Sequence, residues 1–134
     1  MKKMTRGLRN NNPGNIEKNS TKWKGLCKEQ TDSRFFQFES MAWGYRAMFR
    51  TLRTYKSVHG KKTLTEMISR WAPQVENDTE SYIRFVSNRA KVFPNVEIDT
   101  NNKSVMCRIV EAMSTMENGV PGVKSEIEQG WELI

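Results

Sequence analysis

Residues 9–16 are Arg-Asn-Asn-Asn-Pro-Gly-Asn-Ile, and this stretch has the most unusual composition in the chain. Asn and Gly tolerate positive φ, Pro fixes φ, and Asn side chains bond to neighbouring backbone, so the segment cannot form a helix or a central strand. The sequence predicts a rigid turn rich in amide groups. Such a turn either connects a helix to a hairpin or holds a polar ligand, and the residues that follow it favour the second interpretation.

The segments after the turn predict an α+β fold that is mostly α. Aromatic bulk and turn residues over 22–38 predict one small β-hairpin or sheet. Apolar residues spaced by three and four predict about four to five helices, over roughly 40–58, 63–72, 79–91, 101–117 and, as a short last turn, 125–131. Ser125 and Glu128 are spaced as a capping box for that last turn. With no repeat or linker, residues 1–134 are predicted to form a single domain.

The composition excludes several classes of protein. At 134 residues the chain is large enough for a core, and it has no apolar run that could span a membrane. Its basic start lacks the apolar stretch of a signal peptide, so we expect a protein made in the cytoplasm without an export signal. Cys27 and Cys107 do not form a disulfide framework, and the sequence leaves open whether they pair. With His59 as the single histidine, we expect no metal site, and no cofactor motif is present.

Positive charge is concentrated in the first half of the chain. Residues 1–62 hold 15 Lys/Arg and 4 Asp/Glu, a net +11, whereas residues 63–134 hold 7 and 11, a net −4. A basic half suggests an anionic polymer as partner, either a bacterial envelope or a nucleic acid. Arg46, Arg50 and Arg53 recur on one face of a predicted helix, which is either a solvated face or one that contacts the envelope.

The candidate for catalysis is a carboxylate, because no nucleophile triad or phosphate-binding loop is present. Glu117 follows Met106, Val110 and Met113 at intervals of four, three and four, which places it at the edge of an apolar helix face. Partial burial and the negative end of the helix dipole both favour its neutral form. A protonated carboxyl group can protonate the leaving oxygen of a glycoside. The alternative is an exposed residue in a fraying last turn.

Residues 9–55 resemble part of the lysozyme-like superfamily. The similar segment follows the catalytic Glu in bacterial N-acetylglucosaminidases and lytic transglycosylases. The shared features, in order, are Asn11-Asn12 with Gly14 and Ile16, Trp23-Lys24-Gly25, Phe35-Phe36-Gln37-Phe38, and a helix with Gly44 and Arg46. Order and spacing hold over about a third of the chain.

The position of the catalytic Glu departs from that superfamily. Only nine residues precede Asn10, and none is acidic, but residues 111–119 look like the missing helix with its terminal Glu117. We therefore expect a circularly permuted lysozyme-like domain in which this helix packs beside the asparagine-rich turn within residues 9–16, called here the Asn turn. The whole chain also resembles a phage and prophage family often labelled virion structural protein. Its marks are residues 9–16, Trp71-Ala72-Pro73 with Glu76-Asn77 and Thr79, and Glu117-Asn118-Gly119.

The resemblance implies cleavage of peptidoglycan glycan strands by a hydrolase or lytic transglycosylase with Glu117 as general acid. It implies substrate contacts at Asn11, Asn12, Asn15, Trp23, Gln37 and Glu76, and a second acid at Glu29 or Asp32. Each of these has a structural alternative: turn stabilisation for the asparagines, a hairpin core for Trp23, a helix-capping network for Glu76, and a solvated hairpin tip for Glu29 and Asp32. The expected partners are glycan strands and other virion or secretion components, with access to the cell wall through lysis, a virion or a secretion machine.

Two rival functions come from different classes. The fold could serve as a non-catalytic virion structural or glycan-binding module, because a fold does not dictate a function. The basic half could bind nucleic acid, but the sequence contains no helix-turn-helix and no aromatic RNA-binding platform, so this alternative ranks last.

Overall fold

The computed structural model describes residues 4–75 and 77–134, and this part of the chain is mostly helical. Its helices α1 to α6 are Arg6–Arg9, Met41–Ser57, Leu64–Trp71, Thr79–Ala90, Lys103–Asn118 and Lys124–Glu132. The prediction of a helix-dominated fold is confirmed, and α2 to α6 lie where the sequence predicts helices. The short α1 was not predicted. It is capped by the preceding Thr5, whose hydroxyl accepts a hydrogen bond from the Leu8 amide.

The predicted β-hairpin is wrong. In its place residues 16–39 form an extended segment, called here the arm, in which the described backbone makes isolated bridges and no sheet. The two bridges of the arm join Glu17 to Phe35 and Leu26 to Phe38. The side chain of Gln30 donates to the Gln37 carbonyl and accepts from the Gln37 amide, both at 2.8 Å. The Gln37 amide thus bonds to a side chain, whereas its carbonyl also accepts from the Cys27 amide at 3.0 Å, and the backbone pairing stays limited to isolated bridges.

Polar side chains fix where the helices begin. Ser40, Thr63, Asp78 and Asn102 each accept a hydrogen bond from a backbone amide in the first turn of α2, α3, α4 and α5. The capping box predicted for the last helix is wrong, because α6 follows Val123 and no side chain caps it.

The core is built around α2, which packs against α3, α5 and α6. Tyr45, Met48, Phe49 and Leu52 on α2 are fully buried. A smaller apolar cluster joins the arm to the same helix through Phe36, Phe38 and Ala47. Among the described residues, no helix is both long and apolar enough to cross a membrane.

The arginine stripe on α2 is mostly structural, so the expectation of a solvated or envelope-binding face is wrong for two of its members. Arg46 is buried and donates through Nε to the Leu133 carbonyl at 3.0 Å. Arg53 lies over the Trp131 ring, 5.3 Å from its centroid. Both hold the C-terminal segment against α2, and only Arg50 is exposed.

The cysteines Cys27 and Cys107 are free and half-buried. Cys107 packs against the main core, as expected for a small apolar side chain, and burial raises the pKa of its thiol. The two thiols are therefore not joined in a disulfide.

Candidate functional site

The turn at residues 10–15 takes its shape from left-handed backbone at two asparagines. Asn11 and Asn15 have φ values of 51° and 49°, a region that Asn enters more readily than most residues. The Asn11 side chain donates to the Phe38 carbonyl at 3.1 Å, so it ties the turn to the arm. Helix α2 approaches the Asn11 carbonyl closely at Gly44, where a Cβ would clash.

Asn12 stabilises the turn from inside. Its side chain is fully buried and donates to the carbonyls of Ile16 and Phe36 at 3.0 and 2.9 Å. Its Oδ1 accepts the Ile16 amide at 2.9 Å. Because every polar group of the side chain is engaged, the predicted contact between Asn12 and a saccharide is corrected to a structural role.

Glu117, near the end of α5, lies beside the turn. Its Oε1 accepts from Asn15 Nδ2 at 2.9 Å, and its Oε2 accepts from the Tyr82 hydroxyl at 2.9 Å. The carboxylate is half-buried. The expected proximity of Glu117 and the Asn turn, residues more than a hundred positions apart in the sequence, is thus present through Asn15.

Asn118 fastens the end of α5 to the turn. Its Nδ2 donates to the Pro13 carbonyl at 2.9 Å and to the Ser114 carbonyl at 3.0 Å, and its Oδ1 accepts from the Thr5 hydroxyl at 2.7 Å. The side chain is buried. Asn118 therefore holds the end of α5, and with it Glu117, against the N-terminal segment.

Tyr82 on α4 is the partner of Glu117 that the sequence did not reveal. Burial raises the pKa of its phenol well above the usual value, and the negative charge of Glu117 and their hydrogen bond add to the effect. Tyr82 accordingly stays protonated and donates to Glu117. The sequence pattern shows only that Tyr82 faces inward, which any aromatic core residue would do.

An open cavity of about 950 Å³ lies in front of Glu117. The Asn turn and the arm form one side of it, and the ends of α2 and α3 contribute the other. Its aromatic lining consists of Trp23, Phe35, Tyr55 and Trp71. Its charged lining consists of Glu17, Arg34, Arg70 and Glu117. The cavity combines ring faces, amide groups and a carboxyl group, which is a suitable surface for a sugar chain.

One curated relative matches this chain over nearly its whole length. Protein P5 of Pseudoalteromonas phage PM2 is 40% identical over 131 residues, which cover 95% of this chain and 80% of the relative. The chain belongs to the family of phage protein P5. The predicted relation to a phage family is confirmed. No family model matches the chain, and the name of the relative states no activity.

The cavity of this P5-family chain includes only some of the predicted substrate contacts. Asn15 and Trp23 line it, whereas Asn11, Asn12 and Gln37 do not. The Trp23 Nε1 is buried and has no hydrogen-bond partner among residues 4–75 and 77–134. Glu76 lies outside the described residues. Further lining residues, which the sequence did not single out, include Arg34 of the arm and Tyr55 and Arg70, whose helices were predicted but not their shared cavity.

Gln37 and Glu29 are not placed for the predicted roles. Gln37 donates through Nε2 to Asn10 Oδ1 at 3.1 Å and accepts the Thr31 amide at 2.6 Å, so its side chain is used within the arm. Glu29 is exposed on the arm and is not part of the cavity lining. Within the described residues, no cluster of three or more His, Cys, Asp or Glu side chains could hold a metal ion.

Asp32 is a structural anchor in this member of the P5 family rather than a second acid. It accepts two hydrogen bonds from Arg6, both at 2.7 Å, and one from Asn10 at 2.9 Å. The Arg6 guanidinium and the backbone amides of Phe35 and Arg34 hold the pKa of Asp32 well below its usual range. Asp32 therefore joins α1 and the Asn turn to the arm.

Replacing Asp32 with Asn is expected to destabilise the fold in a pH-dependent way. The pKa of Asp32 is lower in the folded protein than in the unfolded chain, where it is about 4. The ionised Asp32 therefore stabilises the fold fully above about pH 4, and this stabilisation is lost as the pH falls toward the pKa of the folded state. Thermal unfolding of Asp32→Asn and wild type should differ most near neutral pH and progressively less below about pH 4. Glu39→Gln, at an exposed carboxylate of the arm, is the control. A difference that grows on acidification would contradict this role.

Gly7 on α1 permits the close packing behind Glu117. A Cβ at this position would lie 2.6 Å from Asn118 Oδ1, 2.8 Å from Asn15 Oδ1 and 2.9 Å from the Asn12 carbonyl. These are backbone and buried amide atoms with little room to move. The absence of a side chain at Gly7 therefore lets α1, the turn and α5 meet.

Gly7→Ala is expected to destabilise the protein by about 1–3 kcal/mol, the usual cost of overpacking. Ala is the better helix former, so propensity alone predicts the opposite sign at this position. Chemical denaturation measures the difference. The matched control is Gly130→Ala on α6, where a Cβ meets the Ala42 carbonyl at 2.9 Å but no residue of the cavity. An unchanged or raised stability of Gly7→Ala would contradict the clash.

Proposed function

We propose that this protein cleaves the glycan strands of peptidoglycan, with Glu117 as general acid and a permuted lysozyme-like arrangement of the catalytic helix and the Asn turn. The observation that supports this proposal is the contact of Glu117 with Asn15 at the wall of an open cavity. A carboxyl group in that position can reach the glycosidic oxygen of a saccharide held in the cavity.

The partners of Glu117 suit a group that gives up and regains a proton. An amide side chain offers both a donor and an acceptor, so Asn15 can bond to Glu117 in either protonation state. The Tyr82 phenol stays protonated and donates to the carboxylate that remains after proton transfer. These two residues orient Glu117 in the proposed reaction.

The aromatic lining supports a saccharide as the ligand. Trp23, Tyr55 and Trp71 offer ring faces on which the apolar faces of sugar rings pack, and the threonines Thr51 and Thr54 offer hydroxyl groups. Glu17, the other acid of the lining, accepts from Arg34 at 2.6 Å and is committed to that ion pair. The proposal therefore uses one acid, and the attacking group is either water or a hydroxyl of the substrate.

The exposed lysines of the arm support an anionic cell wall as the place of action. Lys18, Lys22, Lys24 and Lys28 are all exposed, and the segment 18–28 contains no acidic residue. Attraction of this kind weakens as salt screens it. In the proposed function the protein reaches the wall through lysis, a virion or a secretion machine.

The test is cleavage of purified cell walls, followed as loss of turbidity, by wild type, Glu117→Gln and a matched control. Glu39→Gln is that control, because Glu39 is exposed and lies outside the cavity lining. We expect wild type and Glu39→Gln to clear the walls at the same rate and Glu117→Gln to fail. A folded wild type that is as inert as Glu117→Gln would overturn the proposal.

The same contacts also support an alternative function without catalysis, in which the protein is a structural module of the virion or binds glycan. Glu117 joins α5 to α4 and to the Asn turn through two hydrogen bonds, which is also what a structural brace does. In that case wild type binds cell walls without clearing them, and Glu117→Gln lowers only the stability. Sedimentation with purified walls separates binding from cleavage.

A further inference from the structure

Among residues 4–75 and 77–134, Arg70 has no acidic partner, unlike the other arginine of the cavity. It lies in the last turn of α3 and lines the same cavity as Glu117. Arg34 on the opposite side is bonded to Glu17 at 2.6 Å. Within residues 4–75 and 77–134, no carboxylate lies within ion-pairing distance of Arg70, whose side chain is exposed to the cavity.

The guanidinium of Arg70 is nevertheless held in place. It lies over the Tyr55 ring, 5.3 Å from the centroid, and its Nη2 is 3.3 Å from His59 Nε2. Stacking on an aromatic face restricts the side chain but leaves donors at the edge of the guanidinium plane free. A planar fork of N–H donors matches the two oxygens of a carboxylate. A neutral sugar offers no such group, so a fixed cation in the cavity indicates an acidic ligand.

We propose that Arg70 binds a carboxylate carried by the glycan and so makes the cavity specific for acidic wall strands over neutral polymers of N-acetylglucosamine. This inference rests on the proposed function, since it names the substrate class of the same site. A muramic acid residue carries its carboxylate on a lactyl ether, and a stem peptide attached there carries others. Both offer the same chemistry to Arg70, and the experiment below separates them.

The test measures binding in the Glu117→Gln background, where cleavage does not consume the ligand. Three probes are titrated by calorimetry: glycan strands with stem peptides, strands freed of peptides by an amidase, and neutral chitin oligosaccharides. Adding Arg70→Gln is expected to weaken binding of acidic strands by about tenfold or more, the value of a charge-assisted hydrogen-bonded pair. Binding of chitin oligosaccharides should not change. The matched control is Arg50→Gln, at an exposed arginine of α2 that lies outside the cavity lining.

The probes for which Arg70→Gln loses affinity identify the carboxylate that Arg70 binds. A loss with both kinds of acidic strand supports the lactyl group, and a loss confined to peptide-bearing strands supports the peptide. Equal losses with chitin and acidic strands, or no loss with any probe, would overturn the role of Arg70. Arg70→Lys should restore part of the affinity, because it keeps the charge but not the fork.

Cleavage assays keep the two proposals distinguishable. If wild type clears cell walls but Arg70→Gln retains full affinity for acidic strands, the general acid proposal stands and the specificity proposal fails. If wild type is inert but binds acidic strands through Arg70, the site is a glycan-binding site and the cleavage proposal fails. Absence of saccharide binding together with an inert wild type overturns both.

Discussion

Glu117→Gln is expected to lower the rate of cell-wall cleavage by about 10²–10⁴-fold, the range attributed to a positioned general acid. Gln has nearly the same shape but cannot donate a proton to a leaving oxygen. Its carbonyl can still accept from Asn15 Nδ2, and its amide can donate to the Tyr82 oxygen after the hydroxyl rotates. The variant should therefore fold like wild type, and the loss should appear in the rate.

Two further measurements make this prediction specific to acid catalysis. Affinity for peptide-free glycan strands should stay within a few-fold of wild type, because the proton is needed in the transition state and not for binding. Product analysis of the wild-type reaction distinguishes a reducing sugar end from an anhydro end, and hence water from an internal hydroxyl as the attacking group. If Glu117→Gln lowered binding and rate equally, Glu117 would act as a structural link between α5, α4 and the Asn turn and not as a general acid.

The helices of this fold could be predicted from local patterns, whereas the arm could not. Apolar spacing is a local signal, and the polar caps that begin the helices, such as Ser40 and Thr63, bond to backbone amides only three residues away. The arm contains strand-like aromatics, but its partners are set by distant packing. Phe36 and Phe38 are buried against α2, and the Gln30 side chain accepts from the Gln37 amide, a bond that a neighbouring strand would make in a sheet. Tertiary packing of this kind overrides strand propensity.

The candidate site could be predicted in its two main parts but not in its surroundings. Unusual composition marked the Asn turn and helix spacing marked Glu117, and the resemblance to the lysozyme-like superfamily implied their contact. Tyr82 and Arg70 have no such mark, because an inward aromatic and a helical arginine are common in any α-helical protein. For Asn12 the prediction assigned a ligand contact where the structure has none. The unusual composition of the turn suggested that contact, but the Asn12 side-chain amide donates to buried backbone carbonyls. Polar side chains in a turn are satisfied locally before any ligand is bound.

Asn118→Ala is expected to destabilise the protein by about 2–4 kcal/mol and to lower the thermal midpoint by on the order of 10 °C. The substitution removes bonds to the Pro13 and Ser114 carbonyls and leaves the Thr5 hydroxyl without its acceptor. A buried carbonyl that loses its donor costs more than an average hydrogen bond contributes. Thermal and chemical unfolding measure the effect, with Asn88→Ala at an exposed position of α4 as the control.

The same substitution connects stability with the site. Asn118 joins the end of α5 to the turn, and its neighbour Glu117 depends on that junction for its distance to Asn15. Below its midpoint Asn118→Ala should therefore bind and cleave glycan strands less well than its folded fraction predicts, because a small displacement of a catalytic group is costly. Asn118→Asp retains the acceptor for Thr5, but its carboxylate loses the donated bonds to Pro13 and Ser114 and adds a buried negative charge beside their carbonyls, so it should be less stable still. If Asn118→Asp were as stable as wild type, the bonds that Asn118 donates would not be what holds the end of α5 to the Asn turn.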